Sequence, residues 1–422
     1  MDVDAVVIGA GVAGLAAAAA FRRAGRTCVT LEATGRIGGR AFTDHPATLG
    51  GSPFDRGASW LHAAERNPLA DLARAAGIAL SETRGTWTRR VLIDGRAATE
   101  AELEAYARAW ERFDEVARAR AAAGPDTSLA DAVADLAGDP WLAQIEVWES
   151  TLIAAADPAD FSVQDWHLNE LAGSNLAVAG GVGALVARVL GPPAGTVRLA
   201  TPAQHIAWQR PGGMVEVTTP AGTLRARACV VTVATGVLRA GGIRFDPPLP
   251  EAQRAALDGL PMGLLSKAAV PALTAERFGL APGTSLSRRV ADPAEPAMFF
   301  HLWPQGRPHA VGFFGARAAW RFAEAGTAAT AAFAREELVR LLGGDAADAF
   351  GEAEVTTWGT DPAFLGAYAY ARPGCMAARA AMDTPLAGRL AFAGEAWCTD
   401  GLAGTVGGAF LSGERAARML VG

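Results

Sequence analysis

Lysine is almost missing from this sequence: of 38 lysine and arginine residues only Lys267 is a lysine, and arginine carries the rest of the positive charge. Cysteine is sparse as well. Cys28, Cys229, Cys375 and Cys398 are scattered, with no C-x-x-C pair, which excludes a disulfide framework and a zinc ribbon and reads as reduced thiols of a cytoplasmic protein. No metal ligand set is recognisable. Charged residues make up 19% and the net charge is −6, so the basic face that a nucleic-acid partner requires is absent. Long apolar runs are also lacking. The alanines from Ala16 to Ala20 are closed off by Arg22 and Arg23, too short a stretch to span a bilayer, and Met1-Asp2-Val3-Asp4 is not a basic leader. No membrane partner is expected, and oligomeric state is not readable.

What is present is apolar material and glycine. Half of the 422 residues (50%) are hydrophobic and 49 are glycine, enough to bury the cores of two or more domains. Val3 to Ile8 reads as a buried parallel strand. Gly9-Ala10-Gly11-Val12-Ala13-Gly14 follows, then a helix-forming run. This is G-x-G-x-x-G in the strand-to-helix setting that a dinucleotide site needs: Gly9 for the turn, Gly11 for approach of a pyrophosphate, Gly14 for helix–strand packing. The helix start offers unpaired N–H groups to phosphate. A second strand, Thr27 to Leu31, ends at Glu32, near the ~20-residue spacing at which a carboxylate grips ribose hydroxyls. A merely tight strand–helix turn is the alternative. Thr34-Gly35-Arg36-Ile37-Gly38-Gly39-Arg40 then supplies a loop able to wrap a second phosphate or the far end of a long cofactor, with Arg40 as charge partner.

The string Glu32-x-x-x-Gly35-Arg36-x-Gly38-Gly39-Arg40 resembles the flavin-containing amine oxidase superfamily of monoamine oxidases, polyamine oxidases and histone lysine demethylases. Gly57-Ala58-Ser59-Trp60-Leu61-His62 with Asn67-Pro68-Leu69 is similar to the polyamine oxidase branch. Further matches follow in order: Ala203 within the second nucleotide-binding segment, Leu260 to Lys267, Trp358 to Pro362, Gly366-Ala367-Tyr368, Phe392 to Glu395, and Gly404 to Gly413. The resemblance implies a mixed α/β fold, a Rossmann-type FAD-binding domain (1–80, 191–250 and 385–422) interleaved with a substrate domain of mixed sheet and helices (81–190 and 251–384). The pattern by itself reads 100–150 as helices, 198–208 and 214–233 as strands, a helix ending near Leu190, strands over 264–315 and a helix over 327–342.

The same resemblance implies non-covalent FAD, because Ala367 stands where monoamine oxidases carry their attachment cysteine. Cofactor contacts are expected from Gly9, Gly11, Gly14, Glu32, Ala33, Gly35, Arg36, Gly39, Arg40, Gly57, Ala58, Ser59, Trp60, Ala203, Trp358, Gly394, Glu395, Thr405 and Val406. Lys267 takes the position where the family's ammonium holds a water near flavin N5. Tyr368 matches one of two rings that flank the amine, and Thr405 falls at the partner position, leaving the cage half-open. His62 matches a histidine near the substrate nitrogen; a core tyrosine and a structural histidine are the alternatives. Trp60 in place of a carboxylate-clamping arginine argues against an α-amino acid. Glu170, His167, Asn169, His301 and Trp303 are candidate pocket residues by segment. The implied partners are a small-molecule amine, with hydride passing from its α-carbon to flavin N5, and molecular oxygen, reduced to hydrogen peroxide. A dehydrogenase or desaturase with a quinone or cytochrome acceptor, and a silent FAD-binding scaffold, are the rival functions.

Overall fold

The first apolar run forms β1 (Asp2–Ile8), and the alanine-rich run after it forms α1 (Val12–Arg23). The structure, a computed structural model, describes residues 2–83 and 88–421. Met1 and Gly422, the outer limits of the expected nucleotide-binding unit, lie outside the described residues, as do 84–87 of the expected substrate unit. The first sheet continues with β2 (Cys28–Leu31), β3 (Val197–Arg198), β4 (His205–Ala207), β5 (Val215–Thr219), β6 (Gly222–Val231), β7 (Arg244–Asp246) and β8 (Leu390–Phe392). Its order is β3-β2-β1-β6-β5-β4-β7. β6 is shared lengthwise: Gly222 to Ala226 pair antiparallel with β5, and Cys229 to Val231 pair parallel with β8.

This register places the site. Ile8 pairs with both Leu31 and Val231, and Val231 pairs with Phe392. The carboxyl ends of four parallel strands therefore lie at one edge, and Gly9, Glu32, Thr232 and Ala393 all emerge there. In open α/β sheets that edge is where ligands bind. The helix over it is α1, whose alanines are buried between the sheet and the last helix, α2 (Val406–Val421). Small residues are required because the helices nearly touch: a Cβ on Gly413 would stand 2.1 Å from the Ala13 carbonyl oxygen.

Two readings of the pattern shift. Strand structure within 198–208 is confined to Arg198 and 205–207, because Ala200 takes a left-handed φ of 48° and Pro202 follows. The helix expected to end near Leu190 runs Val182–Ala194, through Pro192 and Pro193, whose ring-fixed φ is compatible with a last turn. Val182, Leu185, Val186 and Leu190 of this helix join the core beneath α1.

The second sheet has seven strands, in the order 354–355, 265–271, 309–315, 299–302, 285–288, 89–93 and 96–97. Strand Leu265–Pro271 alternates: Ala268 and Val270 enter a core with Phe300, Phe314 and Leu338, while Ala269 packs on Leu49 and Phe54 from the N-terminal segment. Lys267 shares the Ala269 face, which turns it toward residues 54–59. The helices expected over 100–150 are Glu100–Ala123, started by a Thr99–Glu102 capping box, then Leu129–Ala132 and Leu142–Glu146. The last continues into a π-helical turn, Val147–Leu152. The helix expected over 327–342 is Thr327–Leu342. Among the described residues no helix is long and apolar enough to cross a membrane.

Candidate active site

The glycine turn is built by backbone contact. Gly9 has φ 98°, and a Cβ on Gly14 would fall 1.9 Å from the Gly9 carbonyl oxygen. Gly38 N–H donates to the Ala10 carbonyl at 2.8 Å, laying the second glycine loop beside the first. No side chain caps α1 at Gly11, and a Cβ there would meet only the Gly39 Cα, at 3.9 Å. Four other described helices start on Asn67, Thr99, Ser128 and Ser162 side chains that accept their N–H groups, whereas several, among them 182–194 and 327–342, share with α1 a start without a side-chain cap. A buried helix start without a cap, faced by bare glycines, fits a pyrophosphate.

Glu32 is buried and accepts from Ala10 N–H at 2.7 Å and from Thr34 N–H and Oγ1–H at 2.8 Å. It braces the turn and keeps one lone pair, on Oε2, which fits a ribose hydroxyl. Arg36 donates to the Gly39 carbonyl at 2.7 Å and lies 3.9 Å over the Phe42 ring, so it shapes the loop from behind. Arg40 donates to Glu395 at 2.8 Å and to the Ala367 carbonyl at 2.9 Å, and Glu395 also accepts from Ala369 N–H. The guanidinium expected as a phosphate partner thus ties the N-terminal loop to the C-terminal turn and to the strand bearing Tyr368. Ala33 and Gly35 are exposed, whereas Ala203 and Val406 are buried. Gly394 has φ 141° and donates to Ser412 Oγ.

Lys267 is 5% exposed. Its Nζ donates to the Asp55 carbonyl at 3.0 Å, to the Gly57 carbonyl and to Ser59 Oγ, three acceptors for three protons. The expected water-holding ammonium is therefore held by the chain itself. Burial pushes it down to about 8, against the pull of the Asp55 carboxylate. The same residues are packed against Arg40: a Cβ on Gly57 would stand 1.6 Å from the Arg40 carbonyl oxygen and 3.4 Å from the Trp358 ring. Trp358 donates from Nε1 to the Arg56 carbonyl at 2.8 Å and packs edge-on to Phe364. Ala58 packs at the rim of the core beneath α1.

Tyr368 donates its hydroxyl proton to the Leu152 carbonyl on the π-helical turn at 2.8 Å, and burial raises its pKa well above the usual range. Tyr368 therefore has a committed hydroxyl and does not serve as a base. Facing it is the 402–405 loop: a Cβ on Gly404 would lie 3.8 Å from Tyr368 Cδ2. Thr405 Oγ1 donates to the Leu402 carbonyl at 2.7 Å and accepts from Gly408 N–H at 3.0 Å, which makes it the cap of α2. The cage-partner position that the resemblance gives Thr405 thus falls on a hydroxyl that caps α2 and helps to shape this loop. Trp60 packs on His62 and Phe313, and His62 Nδ1 lies 2.9 Å from Asn175 Oδ1. Of the pocket candidates named by segment, His167 is exposed, Glu170 pairs with Arg118, Trp303 belongs to the second sheet's core, and burial pushes His301 down to about 4.

A sequence model of flavin containing amine oxidoreductases matches residues 12–421. The chain belongs to that family. Polyamine oxidase 3 of Oryza sativa subsp. japonica is 31% identical over 98% of this chain and 88% of its own. Lysine-specific histone demethylase 1 homolog 2 of Arabidopsis thaliana is 27% identical over 99% of this chain and 58% of its own. Wild-type putrescine oxidase bound to putrescine superposes with a TM-score of 0.79 at 21% identity, covering 99% of this chain and 98% of its own. Cyclohexylamine oxidase from Brevibacterium oxydans IH-35A does so with a TM-score of 0.80 at 23% identity, covering 100% and 99%. The likeness to these two is one of fold. A flavin-containing amine oxidoreductase is thus an enzyme with a flavin cofactor, which the glycine cradle suits.

Several residues escaped the sequence reading. Asp55 sits beside Lys267 and accepts from Thr43 Oγ1 and Val182 N–H; its place just before Gly57 was the available signal. Phe313 faces both Lys267 and Trp60, and cross-strand pairing with Lys267 reveals it only once the sheet is known. Glu149 on the π-helical turn accepts from Trp166 Nε1 at 2.8 Å, and burial pushes it up to about 7. Nothing in the sequence marked it.

Proposed function

We propose that this chain is an FAD-dependent oxidase of polyamines or secondary amines. The FAD is held non-covalently, since Ala367 occupies the attachment position and Cys375 instead adjoins Gly259. Held by this glycine cradle, a bound flavin would supply the two-electron acceptor for hydride from the amine's α-carbon, with dioxygen as the final oxidant and hydrogen peroxide as its product. The chain binds the cofactor's phosphates at the start of α1 and holds the amine between Tyr368 and the Gly404–Thr405 loop. Its 81–190 and 251–384 segments contribute most of the substrate side, with the Val182–Ala194 helix serving the nucleotide side. No side-chain base is required when the amine arrives neutral, because its free nitrogen lone pair assists the loss of hydride; the Tyr368 hydroxyl, committed to Leu152 and kept protonated, does not serve as one. The rate therefore rises with pH as the substrate ammonium loses its proton. Water hydrolyses the released imine to an aldehyde.

The observation that carries this reading is the chain's one lysine, buried and fully hydrogen-bonded beside Gly57, whose bare face adjoins Arg40 and Trp358. The test is anaerobic mixing with a panel of primary, secondary, aromatic and polyamine substrates. Bleaching of the oxidised-flavin absorbance by a polyamine or secondary amine, followed by peroxide release on aeration, is expected. No bleaching by any amine overturns the reading, and reduction without peroxide assigns the chain to the dehydrogenases.

A further inference from the structure

The two walls of the amine slot hang from one short helix, Val163–Leu168, and the residue after it. Asp165 is 1% exposed and carries four bonds on its carboxylate. Oδ1 accepts from Arg379 Nε at 2.5 Å and Asn169 Nδ2 at 2.8 Å, and Oδ2 accepts from Arg379 Nη2 at 2.7 Å and Ala371 N–H at 3.0 Å. Ser162 N–H adds a bond to the Ala371 carbonyl, and Arg379 Nη2 reaches the Ala369 carbonyl at 3.4 Å. This side of the assembly therefore fixes the strand that presents Tyr368. Arg379 Nη1 also donates to the Ala396 carbonyl, in the turn that starts with Glu395.

The other wall is reached through Asn169. Its Nδ2 is spent on Asp165, which orients the amide so that Oδ1 accepts from Ala403 N–H at 2.9 Å. Ala403 precedes Gly404 and Thr405, the loop that approaches Tyr368. A buried ion pair is poor evidence of stability in itself, because desolvation offsets much of its attraction. A bidentate pair whose remaining lone pairs hold one backbone and one side-chain amide has a different use: it fixes geometry.

We propose that Asp165, Asn169 and Arg379 form a positioning unit that sets the width of the gap between Tyr368 and the Gly404–Thr405 loop, and with it which amines reach the flavin. The proposal rests on the reading of that gap as the amine slot. None of the three is a catalytic residue; they act through the two walls.

The first experiment does not depend on turnover. Amide hydrogen exchange of Asn169→Ala is expected to speed up at 402–405, and that of Asp165→Asn at 368–371, with the two glycine loops unchanged. Unchanged exchange at both walls overturns the proposal whatever the substrate proves to be. The second reads selectivity. Asn169→Ala should slow flavin reduction at saturating amine by about tenfold to a hundredfold for the best substrate, and less for small primary amines, since a displacement of about 1 Å is worth that much. Arg379→Lys should lower the rate as well, because a single ammonium cannot reproduce the fork on Asp165. Thr99→Ala, a cap lost at the first turn of the 100–123 helix, well before the Phe113 and Arg118 positions at which that helix meets Trp166 and Glu170, is the matched destabilised control and should leave selectivity as it is. Equal losses for all amines in Asn169→Ala, matching the control, overturn the positioning role. If Arg379→Lys does not fold, the Asp165→Asn exchange pattern still decides. Failure of any amine to bleach the wild-type flavin is a separate result, against the proposed function and not against the positioning unit.

Discussion

The nucleotide side of the site and its amine side are made of different material. On the nucleotide side the tightest contacts are backbone on backbone, Gly14 against Gly9, Gly57 against Arg40, Gly38 against Ala10, with the Glu32 and Arg40 side chains bonded around them. On the amine side they are side chains from distant segments: Lys267 on Asp55, Gly57 and Ser59, Tyr368 on Leu152, Asn169 on Ala403. Backbone contacts tolerate no added atom but need only local sequence. Side-chain contacts can drift by single substitutions, so a shared cofactor side can be kept while the amine side diverges.

The sharpest way to break that contrast is to add one methyl group to the nucleotide side. Gly14→Ala and Gly57→Ala each drive a Cβ into a carbonyl oxygen that has nowhere to move. Each should cost about 1–3 kcal/mol of stability and strip the flavin, read as a fallen flavin-to-protein absorbance ratio in a thermal melt. Full flavin occupancy in either variant contradicts the backbone account.

Next in size is Lys267→Met on the amine side. Reoxidation of the reduced enzyme by oxygen should slow by about a hundredfold, the scale of a lost preorganised charge, while anaerobic reduction by amine changes far less. Equal losses in both half-reactions would assign Lys267 to packing.

The same residue predicts a pH effect. Its pKa in the folded chain, about 8, lies below the ordinary 10.5. Below pH 8 the ammonium is charged in both states, and the burial penalty is fully present. Between about 8 and 10.5 the unfolded chain binds the extra proton, so this group makes stability rise with pH, by at most about 1.4 kcal/mol per unit. The difference between wild type and Lys267→Met in denaturant midpoints across that window measures it; a difference that is flat or falls with pH reverses the sign.

The smallest effect sharpens the comparison. Thr405→Ala removes the cap of α2 and should cost about 1 kcal/mol, with a modest change in flavin reduction. A large rate loss at unchanged stability would show that Thr405 acts in the chemistry and not through the cap.

The glycine turn, Glu32 and the first two strands were legible because their physics is local: a tight turn, a helix start and a carboxylate at fixed spacing. The arginine-rich loop was legible as a loop, but not Arg40's partner, since Glu395 reaches it from the far end of the chain. Strand alternation over 198–208 misled because a left-handed Ala200 interrupts it, and no residue type announced that angle. Asp165 and Arg379 carried no motif at all, and their meaning comes from whom they bond.

By itself the sequence determined the nucleotide cradle, the rarity of lysine and the resemblance that gave Lys267 and Tyr368 their places. Only the tertiary structure decided what holds them: which carbonyls satisfy the buried ammonium, which backbone groups Asp165 and Asn169 bond, and that the Thr405 hydroxyl caps α2. The reason is the range of the forces. Turn and helix-start geometry is set within a few residues, whereas burying a charge requires partners that only the folded chain can bring together.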